Sequence, residues 1–167
     1  MKRLSLVGIV VLGLFLVNGS VFAASTTAPL TINATVSSTA KLTLGQSSIA
    51  FPNSDPDTTP SIAATQNPVS VTASAKTTTS GAVALTVVTG GDLADAGTDT
   101  IAIGNVTWTV TGAGYVAGTM NKTTAQSAGS WTGSGSRAGT FSYNLANSWG
   151  YATGSYAATA TYTLSCP

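Results

Sequence analysis

Apolar residues recur at every second position through most of the chain, the period of a strand with one buried face. Leu30, Ile32, Ala34 and Val36 share one face, followed by Leu42 and Leu44, then Val69, Val71, Ala73 and Ala75. The pattern continues with Val83, Leu85 and Val87, then Ile101 and Ile103, then Val106, Trp108 and Val110. Late in the chain Phe141, Tyr143 and Leu145 alternate, and the closing stretch GSYAATATYTLSCP offers Tyr156, Ala158, Ala160, Tyr162 and Leu164. Between these runs lie PNSDPDTTP, TTTSG, GGDLADAG and GSGSRAG, whose Gly, Pro, Asn and Asp supply the dihedrals that reverse a chain. The pattern predicts an all-β fold of seven to nine short strands. A single antiparallel sheet would leave its apolar face wet, so the strands are expected to form one immunoglobulin-like antiparallel sandwich.

The first residues follow another rule. Lys2 and Arg3 precede an apolar run from Leu4 to Val17, and Val21-Phe22-Ala23 places branched and small residues where a signal peptidase cuts. This predicts a secretory signal peptide, helical, over residues 1–23. Its apolar run is shorter than the roughly 18 to 20 residues of a spanning helix. Residues 24–167 are therefore expected to be exported as a single sandwich domain, secreted or held at the cell surface, with no membrane insertion of the mature chain. The cleavage site offers no Cys for a lipid anchor.

Composition then removes most chemistries. Past the signal peptide four basic residues face five Asp, a formal charge of −1, with no His and no Glu. No basic patch is available for nucleic acid. A His-based triad, a His metal site and a two-Glu glycosidase all lack their residues. The expectation is a non-enzyme. Only 7% of the residues are charged, so strand edges have few Lys to block sideways pairing, which favours association or surface attachment.

A few residues remain as candidates for a site. Asp55 and Asp57 in PNSDPDTTP, and Asp92, Asp95 and Asp99 in GGDLADAGTD, cluster oxygens on Gly- and Pro-rich loops. Weak calcium sites are built this way, and calcium is the one cofactor considered; the ordinary reading of the same residues is turn formation. Trp131, Trp149 and Tyr151 lie in Gly- and Ser-rich stretches and are candidate glycan contacts, the basis of a carbohydrate-binding alternative. Trp108, flanked by Val106 and Val110 on its own face, reads as core. Cys166 is the only Cys, either a small apolar strand-end residue or an intermolecular disulfide partner.

The closing stretch resembles that of WxL-type cell-surface domains, which end in an alternating strand with an aromatic-x-Leu motif. NVTWTVTG resembles the earlier motif of that family. On this resemblance Trp108, Val110, Tyr162 and Leu164 take the motif positions, with Tyr162 where the family has Trp and Val110 where it has Leu. It implies a secreted sandwich held non-covalently on the envelope, contacting cell wall, glycan or itself. A looser similarity is to pilus and spore-coat-U-type subunits, which polymerise by donating an N-terminal strand to a neighbour. Leu30, Ile32, Ala34 and Val36 in APLTINATV would be that donor, or else the first strand of their own domain.

Overall fold

A computed structural model describes residues 25–167. The signal peptide expected over 1–23 lies outside the described residues. The chain divides into two units, Met1–Ala34 and Thr35–Pro167. Of the first, residues 25–34 are described, exposed and without regular secondary structure. The alternating run 30–36 thus forms no strand, because alternation supplies an amphipathic face but not the partner that a ladder needs.

The second unit is all-β. Its strands are β1 (Thr39–Leu44), β2 (Ser61–Ala63), β3 (Val69–Lys76), β4 (Ala82–Thr89), β5 (Leu93–Ala94), β6 (Thr100–Ile101), β7 (Val106–Thr111), β8 (Gly118–Thr119), β9 (Gln126–Thr132), β10 (Gly135–Ala146) and β11 (Ala160–Ser165). These eleven exceed the predicted seven to nine because β2, β5, β6 and β8 are only two or three residues long. One six-stranded sheet runs β1-β3-β10-β7-β8, with β2 also on β10, and a three-stranded sheet runs β11-β4-β9. β5 and β6 form a separate pair. All pairings are antiparallel.

Side chains from the two larger sheets meet in one buried cluster. Val69 and Val71 of β3, Trp108 of β7 and Phe141 of β10 pack with Leu85 and Val87 of β4 and Ala128 of β9. Alternation is the cause: β3 reads buried-exposed along nearly its whole length, with Val69, Val71, Ala73 and Ala75 inward. Burial of each large aliphatic side chain is worth about 1.5 to 3 kcal/mol. The architecture is sandwich-like.

Two connections cross between the sheets at the same end, β3 to β4 and β9 to β10. Ser134 ties them, accepting from the Thr77 amide at 2.9 Å and donating to its carbonyl at 2.8 Å. Gly133 turns the second connection at φ 80°, a value that a residue with a Cβ rarely adopts. Along β10, β3 pairs through Phe141 and β2 resumes at Asn144, leaving Ser142 and Tyr143 between them. The Asn67 side chain fills that gap, donating to the Tyr143 carbonyl at 2.7 Å and accepting from its amide at 2.8 Å.

Candidate functional site: a cleft between two open sheet edges

β1 closes one edge of the six-stranded sheet and pairs only with β3, while β11 closes one edge of the three-stranded sheet and pairs only with β4. These two edges lie beside each other. At one end they are drawn together where the Cys166 thiol reaches the carbonyls of Thr39 at 3.7 Å and Lys76 at 3.6 Å. Towards Leu44 and Ala160 a cleft of about 1110 Å³ opens between the sheets, floored by core residues including Ile62, Val69, Tyr143 and Leu145. No charged residue lines it.

Local sequence explains why both edges keep an open flank. β1 and β11 turn Leu42, Leu44, Tyr162 and Leu164 inward, and all four are packed against the core yet only half-buried. An edge strand has a neighbour on one side only, so its inward side chains keep an open flank. Tyr162 spans the two sheets: its ring stacks on Phe141 at 5.6 Å, and its hydroxyl meets that of Tyr143 at 2.8 Å. Burial pushes both phenols above the usual range, and for Tyr162 the neighbouring Tyr143 acts in the same direction.

Trp108 is fully buried in β7, its indole N–H donating to the Val116 carbonyl at 2.8 Å. Val110 lies half-buried on the same strand. β7 and β11 belong to different sheets, so the motif pairs Trp108-Val110 and Tyr162-Leu164 are not strand neighbours. Trp149 and Tyr151 both border the cleft. Trp149 is exposed, with its indole N–H donating to Asp57 at 3.0 Å, and the Tyr151 hydroxyl donates to the Ala146 carbonyl at 2.8 Å. Trp131 sits on β9 instead, half-buried, with its indole N–H enclosed and lacking a partner. The three aromatics do not form one platform.

Two of the carboxylates, Asp55 and Asp95, are engaged in their own loops. Asp55 accepts from the Asp57 amide at 2.9 Å, and Asp95 accepts from the amides of Gly97 at 2.9 Å and Asp99 at 3.1 Å. Asp92 pairs with Lys122 and accepts from the Ile103 amide at 3.0 Å. The Lys122 hydrogen bond, helped by that amide, lowers the Asp92 pKa. Among the described residues no three His, Cys, Asp or Glu side chains are grouped to hold a metal, and no helix is long and apolar enough to cross a membrane.

Sequence reasoning did not find the cleft, since which strands become edges is a matter of long-range pairing. Its one signal was the charge-poor, regularly alternating C-terminal strand. No protein family model, no curated protein and no solved structure matches the chain.

Proposed function

We propose that the chain is a secreted, non-catalytic structural or adhesive protein of the cell surface, built on an immunoglobulin-like sandwich and resembling WxL-type domains. Its action is association, with the wall, with a glycan or with copies of itself. Self-association is the form that the geometry supports best. The observation that carries it is the pair of unpaired edges, β1 and β11, with an uncharged cleft opening at their Leu44 and Ala160 ends. Such edges offer free N–H and C=O groups to another chain, and here few charges stand in the way. Light scattering on residues 24–167 under reducing conditions, at rising concentration, tests it: assemblies support the reading, and a monomer throughout overturns it.

A fimbrial subunit is the more specific second reading, favoured by the exposure of Leu30, Ile32 and Val36 at 84%, 84% and 77%. Carbohydrate binding has a narrower basis, because only Trp149 of the three aromatics is exposed. Retention on insoluble polysaccharide that is lost in Trp149→Ala would favour it.

A further inference from the structure

From the one-sided chemistry of the six-stranded sheet we infer that its outer face is a binding surface for an acidic polysaccharide, anchored on Lys41 and Lys76. The inference deepens the wall and glycan association proposed above and does not need self-association. Register sets the face: Leu42 lies opposite the buried Ala73, so Lys41 and Ser74, opposite each other one position along, turn outward. On that side β3 carries Ser70, Thr72 and Ser74, and β7 carries Thr107, Thr109 and Thr111. All but the half-buried Ser74 are exposed. A solvent-facing sheet ordinarily mixes charges of both signs, whereas no Asp lies on any strand of this one.

The positive charges gather at one end of the face. Lys41 is opposite Ser74 and Lys76 is opposite Thr39, which makes the two lysines diagonal neighbours, about 7 to 8 Å apart. With Thr39, Ser74 and Ser134 they line a recess of about 450 Å³. Arg137 stands at the same end of β10, opposite Ala73. The one ion pair among the described residues is Lys122 with Asp92, which leaves these three cations unpaired. Pro167, whose carbonyl accepts from the Thr77 hydroxyl at 3.0 Å, pairs with neither lysine. The Asp residues follow the other ends of the strands, 55 and 57 between β1 and β2 and 92, 95 and 99 after β4. The length of β3, about 25 Å, separates Asp55 and Asp57 from the recess, well over the screening length of about 8 to 10 Å. A chain with almost no net charge thus keeps a locally positive site.

Hydroxyls extend from the recess across the sheet. Ser74 and Ser136 face each other with their oxygens 2.8 Å apart, and Thr111 and Thr140 do so at 2.7 Å. Each pair uses one proton and leaves the other hydroxyl free to donate outward. The exposed Thr72 hydroxyl has no partner among the described residues. Such groups recur about 4.8 Å apart across strands and about 6.8 Å apart along them. The ring hydroxyls of a sugar chain therefore meet donors and acceptors at several points, while its carboxylate or sulfate groups reach the two ammonium groups. A membrane surface would call for large apolar side chains beside the lysines, and the apolar side chains exposed on this face are those of Ala63 and Ala138.

Titration calorimetry of residues 24–167 with a size-defined heparin oligosaccharide, whose rings carry both sulfate and carboxylate, tests the surface. Polyglutamate and phosphatidylglycerol vesicles are the comparison probes, and circular dichroism checks that each variant is folded. The native chain should bind the oligosaccharide. Replacing both lysines, Lys41→Gln with Lys76→Gln, should weaken binding about tenfold and reduce its salt slope by about one per lysine. Lys122→Gln removes a cation at the far end and should leave affinity unchanged. Thr72→Val keeps the shape of the side chain, so it should weaken binding about threefold with the salt slope intact. Polyglutamate binding as tight as that of heparin, with Thr72→Val silent, overturns the polysaccharide in favour of bare charge. Binding to vesicles in place of heparin overturns it in favour of a membrane. A folded native chain that binds no heparin overturns the surface altogether, and leaves self-association to be judged by light scattering.

Discussion

The hydroxyls of Tyr143 on β10 and Tyr162 on β11 lie 2.8 Å apart, joining the two larger sheets through a single polar contact inside the apolar cluster. One hydroxyl donates and the other accepts. Tyr162→Phe should cost about 1 kcal/mol, and up to about 3 kcal/mol if the Tyr143 hydroxyl is left without a partner. Replacing both by Phe should cost less than the two single changes summed, a coupling that urea unfolding of the four chains would reveal.

Both phenols are held above their usual pKa, chiefly by burial. A raised acid favours the folded state while it stays neutral, so its contribution is complete below the unfolded pKa of about 10. It is lost as pH rises beyond that value, because the unfolded chain ionises first. Stability should therefore fall above about pH 10, less steeply in the double Phe chain. Asp92, held low by Lys122, works with the opposite sign: its contribution is present above about pH 4 and fades below it. With no His or Glu, little change is expected from about pH 5 to 9. Thermal melts across the pH range check the profile.

Asn67 supplies both hydrogen bonds that a missing strand residue would have given Tyr143. The Tyr143 carbonyl also accepts from the Ala64 amide at 3.0 Å, so it keeps a partner in Asn67→Ala, while the Tyr143 amide loses its own. The expected cost is about 1 to 3 kcal/mol, read from the denaturation midpoint.

At Gly139 a Cβ would sit 2.2 Å from the Thr111 carbonyl and 2.7 Å from the Tyr115 ring. Gly139→Ala must push β10 and β7 apart. A loss of about 1 to 3 kcal/mol is expected, with a changed near-ultraviolet signal from Tyr115 and Trp108.

The enclosed, unpartnered indole N–H of Trp131 predicts the reverse behaviour. Trp131→Phe removes that polar group and keeps an aromatic ring, so the urea midpoint should hold or rise. A marked fall would show that the indole N–H has a partner in solution.

Most of the long strands were legible because alternation reports burial directly: Val83, Leu85 and Val87 are inward as their spacing implies. β9 was missed because QSAGSWT lacks large alternating side chains. Its Ala128 and Gly129 serve by being small, and a Cβ at Gly129 would lie 2.7 Å from the Gly114 carbonyl. β11 begins at Ala160 and not near Tyr156, because Ala157 is already bridged to Ala94. The aromatic-x-Leu residues 162 and 164 stood out in the sequence, but not the fact that their strand lies on an open edge. Edges are decided by the residues that fail to pair, and those are distant in the chain.

Hydrogen exchange on the full mature chain, at low and high protein concentration under reducing conditions, tests the central claim most directly. Association through the open edges predicts that amides in 39–44 and 160–165 slow as concentration rises, while the rest of the second unit is unchanged. Exchange in those two segments that is identical at both concentrations, in a sample that light scattering shows to be monomeric, would contradict it.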